Sequence, residues 1–231
     1  MFSKEYEFRY GDLDENSNIK ASAVLELLQD ISVLHSDTCG STDIIPGNTA
    51  WLLEGWHLKF YDKLRKGSVS VNTGIMDMSG FHSHRKYEVY QQGRLAVIGT
   101  AVWYVVDMDK RRITRIPKEV SDAFESVSEA DNGLPYVNLK PCADAVPMGA
   151  RQIERRDLDT NRHLNNVKAV EIALDYLPEE FDISELCVKY RKEILKDQAI
   201  SVHSVVADDG ILFEIYNDKN EPCVLVKAVS K

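Results

Sequence analysis

Residues 12–18 read DLDENSN and residues 157–163 read DLDTNRH, and each stretch leads into a segment with amphipathic periodicity. A shift of 145 positions aligns the two stretches and matches six identical residues over 19 positions. The matched residues are Asp12, Leu13, Asp14, Asn16, Glu26 and Asp30 in the first copy, and Asp157, Leu158, Asp159, Asn161, Glu171 and Asp175 in the second. Because the identities fall at the same strand-to-helix junction, the sequence predicts an internal duplication.

Hydrophobic periodicity predicts the same series of elements around each copy. In the first half, the alternation of Tyr6, Phe8 and Tyr10 indicates a half-buried strand, and the apolar spacing predicts an amphipathic helix over 19–36. Strand-like runs follow at 56–60, 69–75, 87–89 and 95–106. The second half predicts a short strand over 152–156, a helix over 164–177, and strands at 186–190, 199–206, 211–216 and 223–229.

A segment without clear periodicity separates the two halves. It contains Gly133, Pro135 and Pro141, and a connection of about 30 residues usually joins units rather than neighbouring strands. We therefore predict an N-terminal repeat over 1–117, a linker over 118–147 and a C-terminal repeat over 148–231. Two such units predict an α+β protein with a tandem hotdog architecture, in which antiparallel sheets wrap around two central helices.

Composition restricts the classes of function. The chain has 28 Lys and Arg against 37 Asp and Glu, and its net charge of −9 argues against a general nucleic-acid binder. The longest apolar run without a charge, 95–106, is shorter than the roughly 20 residues of a membrane span, so no membrane partner is expected. The N-terminal residues lack the pattern of a signal or transit peptide, so we expect a cytoplasmic protein. The scattered Cys39, Cys142, Cys187 and Cys223 form no CxxC pair and predict reduced thiols.

Polar side chains are densest just before the second predicted helix. Asp159, Asn161 and His163 alternate, and alternate side chains of an extended loop face the same way. Unsatisfied N–H groups near residues 164–166 suit a developing oxyanion, although Asp and Asn at this place also serve as simple helix caps. Asn18 stands where the second copy has His163. We therefore expect one active site per chain, in the second half, and a first half specialised for binding.

The stretch DLDTNRHLNNVKAVE, residues 157–171, resembles the signature of the acyl-acyl carrier protein thioesterases of plants and bacteria. Supporting similarities are WLLE from Trp51, YDKLRKG ending at Gly67, Trp103 followed by RRITRIP over 111–117, and YRKE over 190–193. The resemblance implies a tandem hotdog hydrolase without cofactor or metal, which cleaves the thioester of a fatty acyl chain on the phosphopantetheine arm of acyl carrier protein and so terminates elongation. It places the catalytic residues at Asp159, Asn161, His163 and Glu193.

The expected chemistry is attack of water on the thioester. A thiol with a pKa near 8.5 leaves easily, so the enzyme must mainly activate water and stabilise the oxyanion. We expect Glu193 to hold and deprotonate the water beside His163, with Asn161 fixing the water or imidazole and Asp159 orienting His163, although His163 can also be the base. Many plant members carry Cys directly after that Glu, whereas this chain has Ile194, so activity here would exclude an essential thiol at that position.

Basic residues form two groups that could dock an acidic carrier protein, with a solvated surface as the alternative. They are Arg151, Arg155, Arg156 and Arg162 around the motif, and Lys110, Arg111, Arg112, Arg115 and Lys118 in the first half. His82 and His84 have the spacing of a metal-chelating pair, but a polar turn explains them because no further ligand is nearby. Trp51, Trp56 and Trp103 are predicted core residues, some of them able to line an acyl pocket.

Two alternatives stay open at the sequence level. An acyl-coenzyme A thioesterase would use the same fold and chemistry. A non-hydrolytic acyl-binding module or a hydratase would not require this combination of Asn, His and Glu. The preferred chain length, the preference for carrier protein over coenzyme A, and the oligomeric state, a homodimer included, are not fixed by the residues.

Overall fold

The computed structural model describes residues 1–124, 132–207 and 209–231. The chain divides into two compact units, Met1–Tyr136 and Val137–Lys231. Each unit has an antiparallel sheet and a helix with a buried apolar face. The predicted α+β hotdog class is therefore confirmed.

The first unit is built on five strands in the order β1–β3–β4–β5–β2, with every neighbouring pair antiparallel. A short sixth strand, β6, pairs with β5. The strands are β1 (Phe2–Phe8), β2 (Thr49–Phe60), β3 (Gly67–Ser79), β4 (His82–Gln91), β5 (Arg94–Asp107) and β6 (Arg112–Thr114). The helices are α1 (Ala21–Thr38), α2 (Ser41–Ile44) and α3 (Lys118–Ala123).

Helix α1 confirms the helix predicted over 19–36. Its residues Val24, Leu25, Leu28 and Ile31 are at most 1% exposed, and burial of each such side chain contributes roughly 1.5–3 kcal/mol. Within the same face, the Ser32 hydroxyl forms a 2.7 Å hydrogen bond with the Tyr87 hydroxyl of β4. The apolar stripe that defines the helix in the sequence therefore packs on the sheet of its own unit.

The second unit repeats this arrangement. Its strands are β7 (Val146–Gln152), β8 (Ile183–Tyr190), β9 (Ala199–Ala207), β10 (Gly210–Tyr216) and β11 (Pro222–Ser230), and its helix is α4 (Asn166–Leu174). They lie in the order β7–β9–β10–β11–β8, again with antiparallel neighbours. Strand for strand this is the order of the first unit, so the structure confirms the predicted duplication.

Two element predictions in the second half were wrong in position. The strand predicted over 152–156 is β7, which ends at Gln152, whereas residues 155–157 form a 3-10 turn. β7 pairs only with β9 among the described strands, and Val146 and Met148 are 58% and 46% exposed, so it lacks the burial that produces a clear pattern. α4 is shorter than predicted because Asn165 caps it, and Pro178 follows its C-terminal turn.

The predicted linker over 118–147 includes the junction of the two units. Its first residues form α3, whose Val120 is fully buried in the core of the first unit with Phe124. Residues 125–131 lie outside the described residues. Further along, the Leu134 carbonyl accepts a 2.7 Å hydrogen bond from the Thr100 hydroxyl, and Leu139 is buried in the second unit. Within the described ranges, no helix is both long enough and apolar enough to cross a bilayer.

Candidate active site

The motif of the second unit forms a tight turn before α4. Asp159 Oδ1 accepts hydrogen bonds from the backbone N–H groups of Asn161 at 2.8 Å and His163 at 2.9 Å. The backbone N–H of Asp159 donates in return to the His163 carbonyl at 2.8 Å, and Arg162 takes a left-handed conformation with φ of 64°. Asp159 therefore positions His163 by binding the His163 backbone. The sequence predicted only that Asp159 orients His163, without saying through which atoms.

The first unit contains the same turn. Asp14 Oδ1 accepts from the N–H groups of Asn16 at 2.9 Å and Asn18 at 2.8 Å, and Ser17 has φ of 61°. Since Asn18 replaces the histidine there, the carboxylate makes these contacts whether or not an imidazole follows. The hydrogen bonds of Asp159 are thus those of a structural turn.

Removing either turn carboxylate is expected to destabilise the chain. Asp159→Ala and Asp14→Ala each leave two backbone donors without their acceptor, which costs about 1–2 kcal/mol in the free energy of unfolding. Urea denaturation of the two variants beside wild type measures the loss. Asp14→Ala is the matched control because it breaks the same turn away from His163. An Asp159→Ala variant with wild-type stability and no activity would contradict a structural role for this carboxylate.

His163 and Glu193 are brought together by a link between the motif and the loop after β8. The Leu164 N–H donates to the Ile194 carbonyl at 2.8 Å, which holds this loop beside the turn. As a result, His163 Nδ1 lies 3.7 Å from Glu193 Oε1. The two side chains are 25% and 47% exposed, so water reaches both. The separation allows one water to lie at a hydrogen-bonding distance of about 2.8 Å from each atom.

The remaining predicted site residues have simpler surroundings. Asn161 is exposed and holds the turn through its backbone, and its side-chain amide makes no hydrogen bond to the described residues. Ile194 is 2% exposed, so the position that carries Cys in many plant proteins is here a core position. The structure therefore brings Glu193 beside the turn that contains Asp159 and His163, and it leaves the Asn161 side chain open to solvent.

The expectation of an oxyanion site at residues 164–166 needs correction. The N–H groups of Leu164 and Asn165 donate to the carbonyls of Ile194 and Asp157, both at 2.8 Å. Beyond Asn166, the N–H groups of Val167 and Lys168 donate to the Asn165 side chain. These amides serve the fold, so the expectation was wrong for Leu164 and Asn165, whereas the Asn166 N–H meets no acceptor among the described contacts.

The first unit shows what replaces the pair in the other copy. The Ile19 N–H donates to the Leu64 carbonyl at 3.3 Å, so Leu64 corresponds to Ile194 and Lys63 to Glu193. Arg65 Nη1 donates to Asn18 Oδ1 at 2.6 Å. Where the second unit has a carboxylate and an imidazole, the first unit therefore has a lysine and an asparagine bound by arginine.

The basic residues near the motif differ in their surroundings. Arg151 forms an ion pair with the buried Asp157, and Arg156 lies 2.9 Å from Glu154. Arg155 is exposed. Arg151 is thus engaged in the fold, whereas the other two lie on the surface.

The two histidines of β4 contact different carboxylates. His82 lies 3.4 Å from Glu54, and His84 lies 3.8 Å from Asp77. Across the described ranges, no group of three or more His, Cys, Asp or Glu side chains is arranged to hold a metal ion.

Family models match both units. The model of the acyl-ACP thioesterase N-terminal domain matches residues 1–124, and that of the acyl-ACP thioesterase C-terminal domain matches residues 148–227. The chain belongs to the acyl-ACP thioesterase family. The C-terminal match contains both the motif turn and Glu193.

Two curated proteins that resemble this chain come from plants. The chain is 23% identical over 234 residues to a chloroplastic acyl-[acyl-carrier-protein] hydrolase of Cuphea viscosissima, and 22% identical over 232 residues to a chloroplastic palmitoyl-acyl carrier protein thioesterase of Gossypium hirsutum. Each alignment covers 91% of this chain and 56% of the relative. The chain thus spans about half the length of the curated relatives it matches.

Solved structures confirm the tandem hotdog fold of this chain. An acyl-ACP thioesterase from Bacteroides thetaiotaomicron superposes with a TM-score of 0.85 at 17% identity, covering 100% of this chain and 97% of the other. A 12:0-ACP thioesterase from Umbellularia californica superposes with a TM-score of 0.84 at 19% identity, covering 100% and 96%.

Proposed function

We propose that this protein hydrolyses the thioester of fatty acyl-acyl carrier protein, which releases a free fatty acid and terminates elongation. The observation that carries the proposal is the 3.7 Å approach of His163 Nδ1 and Glu193 Oε1 at the motif turn of an acyl-ACP thioesterase fold. The related plant proteins named above are acyl-[acyl-carrier-protein] hydrolases and thioesterases, which supports this substrate class.

The His163–Glu193 pair activates water. Glu193 accepts the proton of a water that hydrogen-bonds both side chains, and the resulting hydroxide attacks the thioester carbonyl. His163 holds the water from the other side and stabilises the negative charge that develops on the attacking oxygen. Because the thiolate leaves readily, the collapse of the tetrahedral intermediate needs little acid assistance.

Asp159 and Asn161 support the pair in different ways. Asp159 fixes the backbone of His163 and thereby the place of its imidazole. The exposed Asn161 amide offers a donor and an acceptor to the substrate or the water. Among the described contacts near the start of α4, the Asn166 N–H has no acceptor, and we assign it as a donor to the oxyanion.

The first unit holds the acyl chain. It contains a cavity of about 210 Å³ against α1, with apolar walls from Trp51, Met78, Trp103 and Phe124. We call this space the first-unit cavity. An apolar cavity fits a hydrocarbon chain, and this unit has a lysine where the second has Glu193, which supports a division of labour between the repeats.

Carrier protein docks near the motif through basic side chains. The chain carries a net charge of −9, so an acidic partner needs a local positive surface, and Arg155 and Arg156 provide exposed positive charge beside the turn. Carrier protein is therefore the proposed partner. A cytoplasmic location and a homodimer stay predictions.

Reversing the charge of the docking residues is expected to reduce activity on carrier protein selectively. The double change Arg155→Glu and Arg156→Glu should lower kcat/KM about tenfold on acyl-carrier protein and much less on acyl-coenzyme A, because only the former presents an acidic surface. The comparison variant is Arg111→Glu with Arg112→Glu, which makes the same charge change in the other basic group that the sequence offers for docking. Equal losses on the two substrates, or equal losses in both double variants, would contradict this docking surface.

The function is tested by measuring free thiol during incubation with a panel of acyl-carrier proteins and the matching acyl-coenzyme A thioesters. The proposal predicts release from carrier protein at a higher kcat/KM than from coenzyme A. A higher kcat/KM on coenzyme A would favour an acyl-coenzyme A thioesterase, and binding without thiol release would favour a non-hydrolytic acyl-binding module.

A further inference from the structure

The first-unit cavity contains a buried cation in its apolar wall. Arg85 of β4 lines the cavity and is 4% exposed. Its Nη1 donates to His35 Nδ1 at 2.8 Å and to the Thr73 hydroxyl at 3.4 Å, and its guanidinium lies 5.6 Å from the centre of the Phe124 ring. In the part of the chain that the structure describes, no carboxylate forms an ion pair with Arg85.

The neighbours of Arg85 do not neutralise its charge. Its hydrogen bond requires an unprotonated Nδ1 on His35, and burial together with the nearby guanidinium lowers the pKa of His35 to about 4. His35 is therefore a neutral acceptor at physiological pH. Arginine keeps its proton in proteins, so the first unit buries a cation beside neutral groups, which is costly without a further partner.

Other donors lie around the same cavity. The indole N–H of Trp51 is buried and meets no acceptor among the described residues. Ser83, 2% exposed, adds a hydroxyl to the lining. The lining hydroxyls of Ser32, Ser36 and Thr42 already donate to other groups of the first unit. Arg85, Trp51 and Ser83 thus give the cavity a group of further hydrogen-bond donors. Such a group favours a ligand with an acceptor oxygen, since each unsatisfied buried donor has a desolvation cost.

The charge of the cavity favours a neutral oxygen. Asp37 also lines it, is exposed at the surface, and accepts a 2.7 Å hydrogen bond from the Thr42 hydroxyl. A carboxylate at the rim repels a second anion, whereas a hydroxyl or keto oxygen can accept from Arg85 without that repulsion.

We propose that the first-unit cavity selects acyl chains that carry a hydroxyl or keto oxygen, which accepts a hydrogen bond from Arg85. Arg85 is then a specificity-determining residue, and Trp51 and Ser83 supply further donors around it. The inference rests on the proposed function in that it places the acyl chain of the thioester substrate in this cavity. It goes further by naming the class of chain that the cavity prefers.

The test compares saturated acyl-coenzyme A thioesters with hydroxyacyl and oxoacyl thioesters of the same lengths, with the oxygen at different positions. At one position, kcat/KM of the oxygenated substrate should exceed that of the matched saturated one by about tenfold, the usual effect of a hydrogen bond to a charged group. A ratio near one at every position would overturn the proposal.

Variants then test the residue. In Arg85→Met the ratio of oxygenated to saturated kcat/KM should fall to about one, and in Trp51→Phe, which keeps an aromatic ring, it should fall part of the way. Arg94→Met, which removes an arginine 73% exposed at the start of β5, is the control and should keep the ratio. A ratio retained in both Arg85→Met and Trp51→Phe would overturn the assignment of these donors.

A binding measurement separates this inference from the proposed function. Calorimetric titration with free hydroxy fatty acids and their saturated counterparts needs no hydrolysis. Tighter binding of the hydroxy acids by wild type, lost in Arg85→Met, would support the cavity assignment even if no thioester were cleaved. Hydrolysis of saturated thioesters without any preference in either measurement would leave the proposed function intact and overturn the inference.

Discussion

Replacing His163 with asparagine is expected to lower kcat for thioester hydrolysis by about 10²–10⁴-fold while the protein stays folded. Asparagine cannot exchange a proton near neutral pH, but it fits this turn, because Asn18 occupies the same position in the first unit with its N–H bonded to Asp14 at 2.8 Å. The duplication therefore supplies a replacement already compatible with this backbone. Free thiol release from acyl-carrier protein measures the loss, and urea denaturation checks the fold.

The reciprocal variant Asn18→His provides the control for this experiment. It adds an imidazole to a turn that has Lys63 in place of Glu193, so it should not add activity. Near wild-type turnover by His163→Asn with an unchanged unfolding midpoint would remove the imidazole from the mechanism.

Glu193→Gln is expected to lower kcat by a similar or larger factor, because the amide keeps the size of the side chain but cannot accept a proton from water. The Glu193 side chain is 47% exposed, so stability should change little. Steady-state kinetics on acyl-carrier protein should show the loss in kcat more than in KM.

An exposed carboxylate of the same unit serves as the control for Glu193→Gln. Glu179→Gln changes the charge equally in the segment after α4 and should retain activity. If Glu193→Gln kept more than about a tenth of wild-type kcat, the assignment of Glu193 as the base would be contradicted.

The duplication could be predicted because its evidence is local. Asp14 and Asp159 each accept hydrogen bonds from two backbone N–H groups within four positions, so the same short strings specify the same turn in each unit. Helix α1 and the central strands were likewise predicted from periodicity, since one face of each is buried. The exposed strand β7 had no such pattern and was misplaced.

The match between Glu193 and Lys63 could not be predicted from the same alignment. The turns are related by a shift of 145 positions, whereas Leu64 and Ile194 are related by a shift of 130. The difference arises because the first unit has a longer central helix, 18 residues against nine, and the additional α2 before its next strand. Only the hydrogen bonds at the two helix starts reveal the correspondence.

The buried cation was equally hidden in the sequence. The stretch HSHRKYEV over 82–89 has the charge content of a solvated strand, yet Arg85 and Lys86 are 4% and 6% exposed. Hydropathy predicts that charged side chains are exposed, and tertiary contacts with His35 and Thr73 override that tendency for Arg85. Its partners lie 50 and 12 positions away, beyond the reach of local patterns.

The central claim is that Glu193 and His163 act on one water as a unit, and a double-mutant cycle tests it most directly. Free thiol release from acyl-carrier protein is measured for wild type, Glu193→Gln, His163→Asn and the double variant. If the two side chains act together, the double variant should be about as slow as either single variant, because the loss of one side chain already removes the activated water. Losses that multiply in the double variant, or a double variant that hydrolyses the thioester at the wild-type rate, would contradict the account.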